Sequence, residues 1–499
     1  MTIDIKQMLE KTASEVPQKT AIVFGSQRVS YRELDETSNR IANALIDVGL
    51  QKGDHVAILM PNRPEWIINY FGVVKAGGIT VTLDPRLKVP ELNSLLRDSD
   101  SKILITERRV SQTLSSVLPD ICSLKRVIEI DGDSYQKIIA NNSSVAPAVD
   151  INYNDETTIV YTSGVLGKQK GIVHTHAGIM SVLPAVISGI ELEKNDIVLG
   201  MVPFCYLLGL FGVVLMSFMK GATIVTLPRF SSNNVLETVE QEKVTMLAGT
   251  PASYNALAVL DEDILKGYDL SSLRVVLTAG AKSSTHLMKM LEDKFGLTVF
   301  DIYGISEFLV VSFGAIHDRK LGTAGKPICE LKVVDDNGIE VARGEIGEAV
   351  TRAPWVMKGY YKRPDLTAQI IKDGWFHTGD LVRIDEDGYL EYVGKKTFII
   401  VTSGGVKISP TEVEDILLRH PSVAEAAYVG VTDEHRGQVP TAFITLKEGQ
   451  DASAEEIRDF CRQNLADFKL PRQVKFVDSM PRTGSGEIDR RRLKEMEGS

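Results

Sequence analysis

Nearly continuous apolar runs alternate with segments of helical periodicity, and this alternation limits the possible folds more than any other feature of the chain. His55–Met60, Ile79–Leu83 and Ile103–Thr106 are strand-length apolar runs that do not alternate with charged residues. Between them lie helical patterns over 66–75, stopped by Gly77 and Gly78, and over 90–99. A strand that is apolar on both faces must be covered on both, which a mostly parallel sheet flanked by helices achieves. Upstream, the spacing predicts a helix over 5–16, a hairpin over 20–31 and a helix with Leu34, Ile41, Leu45 and Val48 on one face, ended by Gly49.

The same texture returns further on. Strands are expected at 157–161, 196–201, 223–227, 246–249, 275–278 and 298–301, with helices over 179 onward, 234–241 and 285–294. From Gly322 short strands and turns take over (331–334, 348–351 and 389–392), a smaller β-rich unit. The last hundred or so residues carry helices over 411–418 and 454–464 and strands over 423–429, 441–445 and 474–477. At 499 residues one core does not suffice. The expected fold is α/β: a large domain over 1–394 with mostly parallel sheets, covering helices and a small β-rich unit, then a small mobile α+β domain over 395–499.

Composition removes several function classes. A net charge of −10 without a long basic run argues against nucleic-acid binding. Cys122, Cys205, Cys329 and Cys461 have no metal-ligand spacing, which fits a reduced, cytoplasmic protein. Met1–Glu10 carries Asp4 and Glu10 and no apolar core of a signal peptide. The uncharged stretch Ile197–Met219 is long enough to span a bilayer, but Pro203 and glycines at 200, 209 and 212 interrupt it. It is read as a buried strand–loop–helix unit, so no membrane span is expected.

Chemistry concentrates in a few motifs. Thr162, Ser163, Gly164, Gly167, Lys168, Lys170 and Gly171 bring hydroxyls, lysines and close-approach glycines together after a strand. That set suits a phosphate cradle, and a tight surface turn equally. The spacing excludes a P-loop. Tyr303-Gly-Ile-Ser-Glu307 places a ring for stacking on a base beside a carboxylate suited to Mg2+. Gly374-Trp-Phe-His-Thr-Gly-Asp380 presents an aspartate after a Thr-Gly turn, suited to two ribose hydroxyls, and Ser403-Gly-Gly405 is a glycine turn before a helix.

With these motifs in order, the chain resembles the adenylate-forming superfamily of acyl-CoA synthetases, luciferases and peptide-synthetase adenylation domains. The acid–CoA ligase branch is closest, through 374–381, 325–328 and 481–486. The resemblance implies ATP, Mg2+ and coenzyme A, a small-molecule carboxylic acid as substrate, and a hinge near Lys395–Thr397. It assigns Thr162, Ser163, Gly164, Gly167 and Lys170 to the triphosphate, and Gly280 and Ala281 to the adenine and acyl pocket. Tyr303, Gly304 and Ser306 go to adenine and α-phosphate, Glu307 to Mg2+, Asp380 to the ribose, with Lys395 beside it, and Ser403, Gly404 and Gly405 to the CoA arm. Cys205, Tyr206, Gly209, Thr278 and Ala279 become neighbours of the acyl group, Tyr206 standing where many members have a gating histidine.

Departures from the pattern fall on the chemistry. Val165 and Leu166 replace two threonines of the phosphate loop and Gln169 replaces a proline. Each lost charge-assisted hydrogen bond is worth roughly 1.5–3 kcal/mol. Lys395 replaces an arginine and loses its planar fork. Glu487 stands at the position of the lysine that reaches the α-phosphate and the attacking carboxylate. Three expectations follow: an acid–CoA ligase slowed at adenylation or using Arg482 or Arg490 as a substitute cation; a non-ligase paralogue that binds acyl-adenylate or acyl-CoA; or an enzyme limited to the thioester half-reaction. No charged group stands among the acyl neighbours, so a medium-chain or aromatic acid is the expected substrate.

Overall fold

The computed structural model describes residues 3–162, 169–227, 229–398, 400–401, 407–433, 437–465, 467–484 and 486–496. Capping fixes where its helices begin. Asp4 and Ser30 each accept from the backbone of the residue three positions on, and Gln7 and Glu33 answer to the cap backbone, opening helices Ile5–Glu15 and Tyr31–Asp47.

Two sheets make the large domain. One runs in spatial order Lys326–Pro327, Ser312–Phe313, Thr298–Tyr303, Val275–Ala279, Met246–Gly249, Ile197–Gly200, Thr223–Thr226, Thr20–Phe24 and Gln27–Ser30, parallel from Thr298–Tyr303 to Thr20–Phe24. The other runs Gly359–Tyr360, Lys170–Thr175, Glu156–Thr162, Ile79–Leu83, His55–Leu59, Ile103–Thr106 and Arg126–Glu129. The main core lies between the sheets, filled by helices Tyr31–Asp47, Pro64–Lys75 and His176–Gly189. Strand alternation explains the two-faced apolar runs: Val56 and Ile58 join this inner core, while Ala57 and Leu59 join a second core on the outer face.

The apolar stretch 197–219 is consumed by strand Ile197–Gly200, a turn, the short helix Leu207–Gly209, a π-helical segment Leu210–Leu215 and helix Met216–Lys220. Among the described residues no helix is long and apolar enough to cross a membrane. A five-stranded antiparallel sheet built from Glu330–Val334, Ile346–Arg352, Ile371–Lys372, Trp375–Ile384 and Leu390–Lys395 forms the β-rich unit. The small C-terminal domain packs helices Pro410–Leu417 and Ala454–Asn464 on strands Val423–Asp433, Gly437–Leu446 and Gln473–Phe476, around Val413, Tyr428, Ile444 and Ile457.

Two differences from the sequence reading have physical causes. The segment after the glycine-rich stretch forms strand Lys170–Thr175, antiparallel to Glu156–Thr162, before its helix starts at His176. His174 disguises it, because a buried histidine bonded to the Ser306 carbonyl (2.9 Å) reads as polar in the sequence. Strand Arg126–Glu129 also escapes notice: it is an edge strand with only Ile128 buried.

One polar contact fastens two of the inner helices. Lys75 is fully buried, and its Nζ donates to Asp35 Oδ1 (2.5 Å) and Asn39 Oδ1 (2.6 Å). Removing one partner of such a pair costs about 3–5 kcal/mol, whereas an apolar replacement of the buried charge is far milder. Asp35→Ala therefore lowers the denaturation midpoint in urea, and adding Lys75→Met to that variant restores most of it. Equal midpoints for wild type and Asp35→Ala would contradict this role.

Candidate active site

Two cavities open between the large domain and the C-terminal domain and meet at one place. The first, ≈ 340 Å3, is walled by strand ends of the large domain and by residues from 394 onward. The second, ≈ 600 Å3, runs from the meeting place toward the π-helical segment. Thr250, Gly280, Ile302, Gly304, Ile305, Lys395 and Glu487 line both, so the charged groups at the junction are one lysine and one carboxylate. The cavities lie at the carboxyl ends of parallel strands, where open α/β sheets leave room for ligands.

The first cavity holds Gly280 and Ala281, just past strand Val275–Ala279, and Tyr303 and Gly304 at the end of Thr298–Tyr303. Position 304 admits only glycine, since a Cβ there would sit 2.0 Å from the Leu309 carbonyl oxygen. Asp380 lies buried behind, its Oδ2 accepting from the Tyr303 hydroxyl (2.8 Å) and its Oδ1 from Lys395 Nζ (2.9 Å). Each carboxylate oxygen keeps a further lone pair for a ligand hydroxyl. Burial works against the Lys395 charge, but Asp380, Tyr392 and Glu487 together hold its ammonium above the ordinary range. Asp301, under the same wall, is pushed by burial to about 7, with the Ser283 backbone and Lys282 opposing the shift. Lys282 bridges to Asp415 of the C-terminal domain (2.9 Å).

The second cavity gathers Lys170, Ser306 and Glu307. Tyr360 joins them: its ring lies 4.6 Å below Lys170 Nζ and its hydroxyl donates to Glu307 Oε1 (2.7 Å). One carboxylate on a cavity wall is how a protein holds Mg2+ that arrives with phosphate oxygens; among the described residues there is no all-protein cluster of ligands. Gln169 Oε1 is buried at this wall without a partner among the described residues. Farther in, Cys205, Tyr206, Ala279, Phe211, Leu277 and Val310 line the space. Gly209 and Thr278 do not reach it. A Cβ on Gly209 would meet the Pro203 carbonyl at 2.1 Å, and Thr278 turns its hydroxyl to Ser283 (3.1 Å).

The C-terminal tail closes the junction. Arg86 grips the buried Asp84 through Nε and Nη2 (2.9 and 2.6 Å) and donates from Nη2 to the Gly484 carbonyl (2.5 Å). Tyr206 also donates to Asp84 (2.8 Å), and a Cβ on Gly484 would lie 2.2 Å from the Tyr206 hydroxyl oxygen. This dock presents Glu487 to the cavities. Its side chain is exposed toward the two cavities, and protein crowds it on its other sides. That crowding raises its carboxyl above the ordinary range, against Lys395 and Arg490 and in concert with Asp380. Arg490 is committed to Glu414 (Nη2 to Oε2 2.8 Å) and Arg482 to Glu425, so neither supplies a spare cation.

Of the residues singled out in the sequence, the junction and its walls bring together Lys170, Tyr206, Ala279, Gly280, Ala281, Tyr303, Gly304, Ser306, Glu307, Asp380, Lys395 and Glu487. Ser163, Gly164, Gly167, Ser403, Gly404 and Gly405 lie outside the described residues, as do Val165 and Leu166; Thr162 pairs through its backbone with Lys170. Asp84, Arg86 and Tyr360 escaped sequence reasoning. The signal for the first two was Asp-Pro-Arg directly after the apolar strand Ile79–Leu83, a strand end that points at a ligand crevice.

Known proteins resemble the chain over nearly all of its length. Residues 9–361 match the AMP-binding enzyme family and residues 412–487 its C-terminal domain. A feruloyl-CoA synthase of Amycolatopsis sp. is 34% identical over 477 residues, covering 95% of this chain and 94% of the relative. The long-chain-fatty-acid–CoA ligase FadD13 of Mycobacterium tuberculosis is 31% identical over 502 residues, covering 99% and 98%. The crystal structure of the anthranilate CoA ligase AuaEII with anthranoyl-AMP superposes with a TM-score of 0.94 at 29% identity, covering 99% of this chain and 97% of that one. The chain belongs to the AMP-binding enzyme family and, within it, stands among the acid–CoA ligases.

Proposed function

We propose that this protein is an AMP-forming acid–CoA ligase whose first half-reaction is slowed by its own tail. The observation that carries this reading is the junction of two cavities, with Lys170, Glu307 and Asp380 on its walls and Glu487 facing Lys395 at its centre. In the first half-reaction a carboxylate attacks the α-phosphate of ATP, giving acyl-adenylate and diphosphate. In the second, the CoA thiol attacks the acyl carbonyl and AMP leaves. Tyr303 offers a face to adenine, Asp380 accepts from ribose, and Lys170 meets phosphate charge. Glu307 would hold Mg2+ together with phosphate oxygens, and the ion would supply positive charge beside the diphosphate. The apolar lining by Phe211, Leu277 and Val310 supports a medium-chain or aromatic acid rather than a polar one.

Chain topology supports a hinge at Lys395, where the last strand of the β-rich unit ends, with 1–394 as the ligand-binding body and 395–499 as the lid. Glu487, lining both cavities where they meet, supports reading the present arrangement as that of the first half-reaction, in which the residue at this position meets the reacting groups. In that arrangement Glu487 faces two anions, the carboxylate that attacks and the phosphate that it attacks. A unit charge at about 4 Å is worth about 4 kcal/mol at an effective dielectric of 20. Exposure of Glu487 to the cavities weakens this, but the sign opposes the step.

Acid-dependent pyrophosphate exchange tests the reading. Across a panel of medium-chain and aromatic acids, Glu487→Lys should exceed wild type by at least about tenfold, ~1.4 kcal/mol of barrier. No gain with any acid would place the defect elsewhere and sink the proposal about the tail. The dock has its own test in the Glu487→Lys background. Gly484→Ala forces a methyl onto the Tyr206 hydroxyl and should cut exchange by about tenfold, in the usual range for overpacking. Adding Tyr206→Phe, which removes that oxygen, should recover part of the loss; no recovery would show that the turn does not seat on Tyr206.

A further inference from the structure

Glu487 costs the first half-reaction, yet its surroundings give it the equipment for a different step. It lines both cavities, so an acyl–phosphate bond joining a nucleotide in one to an acyl group in the other passes beside it. No described residue donates a hydrogen bond to its carboxylate, which leaves both oxygens available to a ligand. The titratable groups that face it come from several elements. Asp380 lies on strand Trp375–Ile384, Lys395 and the neutral Tyr392 on Leu390–Lys395, and Arg490 opens the short helix Arg490–Glu495. Lys395 is already paired with Asp380, and Arg490 with Glu414, so Glu487 remains the uncompensated charge of the junction.

We propose that Glu487 is the general base for transfer of the acyl group from the adenylate to a small primary amine, with the tail docked as it is here. The inference rests on reading the junction as an acyl-adenylate site. The neutral amine nitrogen attacks the acyl carbon and the bond from that carbon to the phosphate oxygen breaks. AMP leaves, and the proton shed by nitrogen passes to a Glu487 oxygen and then to solvent. The products are an amide and AMP. A thiol needs this help least, because it ionises near pH 8.5 and a thiolate is repelled by a carboxylate. An amine must lose a proton as its bond to carbon forms, and a carboxylate at the junction can take it. Crowding that lifts this carboxyl toward the working pH makes it a better base than an ordinary glutamate. The second cavity, at ≈ 600 Å3, has room for a small acceptor beside an acyl group.

The test supplies synthetic benzoyl-AMP, so the first half-reaction plays no part. Benzylamine is the acceptor, and amide and AMP are counted by mass spectrometry for wild type, Glu487→Gln and Glu487→Lys. Wild type should form the amide above the rate without enzyme, and both variants should lose at least about 100-fold. With aniline, which carries no extra proton at neutral pH, the wild-type rate should rise with pH through a limb above the ordinary carboxylate range, and Glu487→Gln should lack that limb. Amide formation that is equal in wild type and Glu487→Gln, with the same pH dependence, would overturn the proposal. Turnover with CoA but none with either amine would overturn it as well while leaving the ligase reading in place. Failure of benzoyl-AMP to bind by calorimetry would overturn both.

Discussion

The site depends on one buried carboxylate. Asp380 is gripped on one oxygen by Tyr303 and on the other by Lys395, and these three residues come from different places. Tyr303 ends a strand of the large parallel sheet, Asp380 sits within a strand of the β-rich unit, and Lys395 ends the strand that leads to the C-terminal domain. Burying that carboxylate is tolerable only because both donors are present. The same contacts therefore fasten the β-rich unit to the large sheet and set the wall against which a nucleotide and the tail must fit.

Everything at the junction can be read from that anchor outward. Lys395 is spent on Asp380, and Arg482 and Arg490 are spent on glutamates of the C-terminal domain, so the positive charges near the tail are already paired. Glu487 is then the group with charge to spare, and it is held in place by a dock that does not involve its own side chain. Arg86 and Tyr206 receive the turn through the Gly484 carbonyl and the bare face of that glycine. A glutamate at such a place brings a negative charge to the meeting point of the two cavities.

Much of this was legible in the sequence, for reasons that are physical. Runs such as His55–Leu59 that are apolar on both faces could only be strands covered on both sides, and they are. Tyr303 and Glu307 stood in a short motif at the end of a strand, and strand ends converge on one crevice; Asp380 was expected after a Thr-Gly turn but lies within strand Trp375–Ile384. What the sequence hid was tertiary. Strand Lys170–Thr175 carries a buried histidine whose partner is a carbonyl far along the chain, so its polarity misled. Gly209 and Thr278 were expected beside the acyl group, but close packing on Pro203 and a hydrogen bond to Ser283 turn them to the interior. Asp84 and Arg86 gain meaning only from Gly484, some 400 positions later, a pairing that no local pattern can announce.

The central claim is that the Glu487 carboxylate sets the charge of the junction and opposes anionic phosphate there. Calorimetric titration of Mg–ATP into wild type and Glu487→Gln measures it most directly, because glutamine keeps the shape and removes the charge. The account predicts tighter ATP binding to Glu487→Gln, by about tenfold at low salt, with the advantage shrinking as salt is added. Equal affinities at every salt concentration, or weaker binding to the glutamine variant, would contradict it.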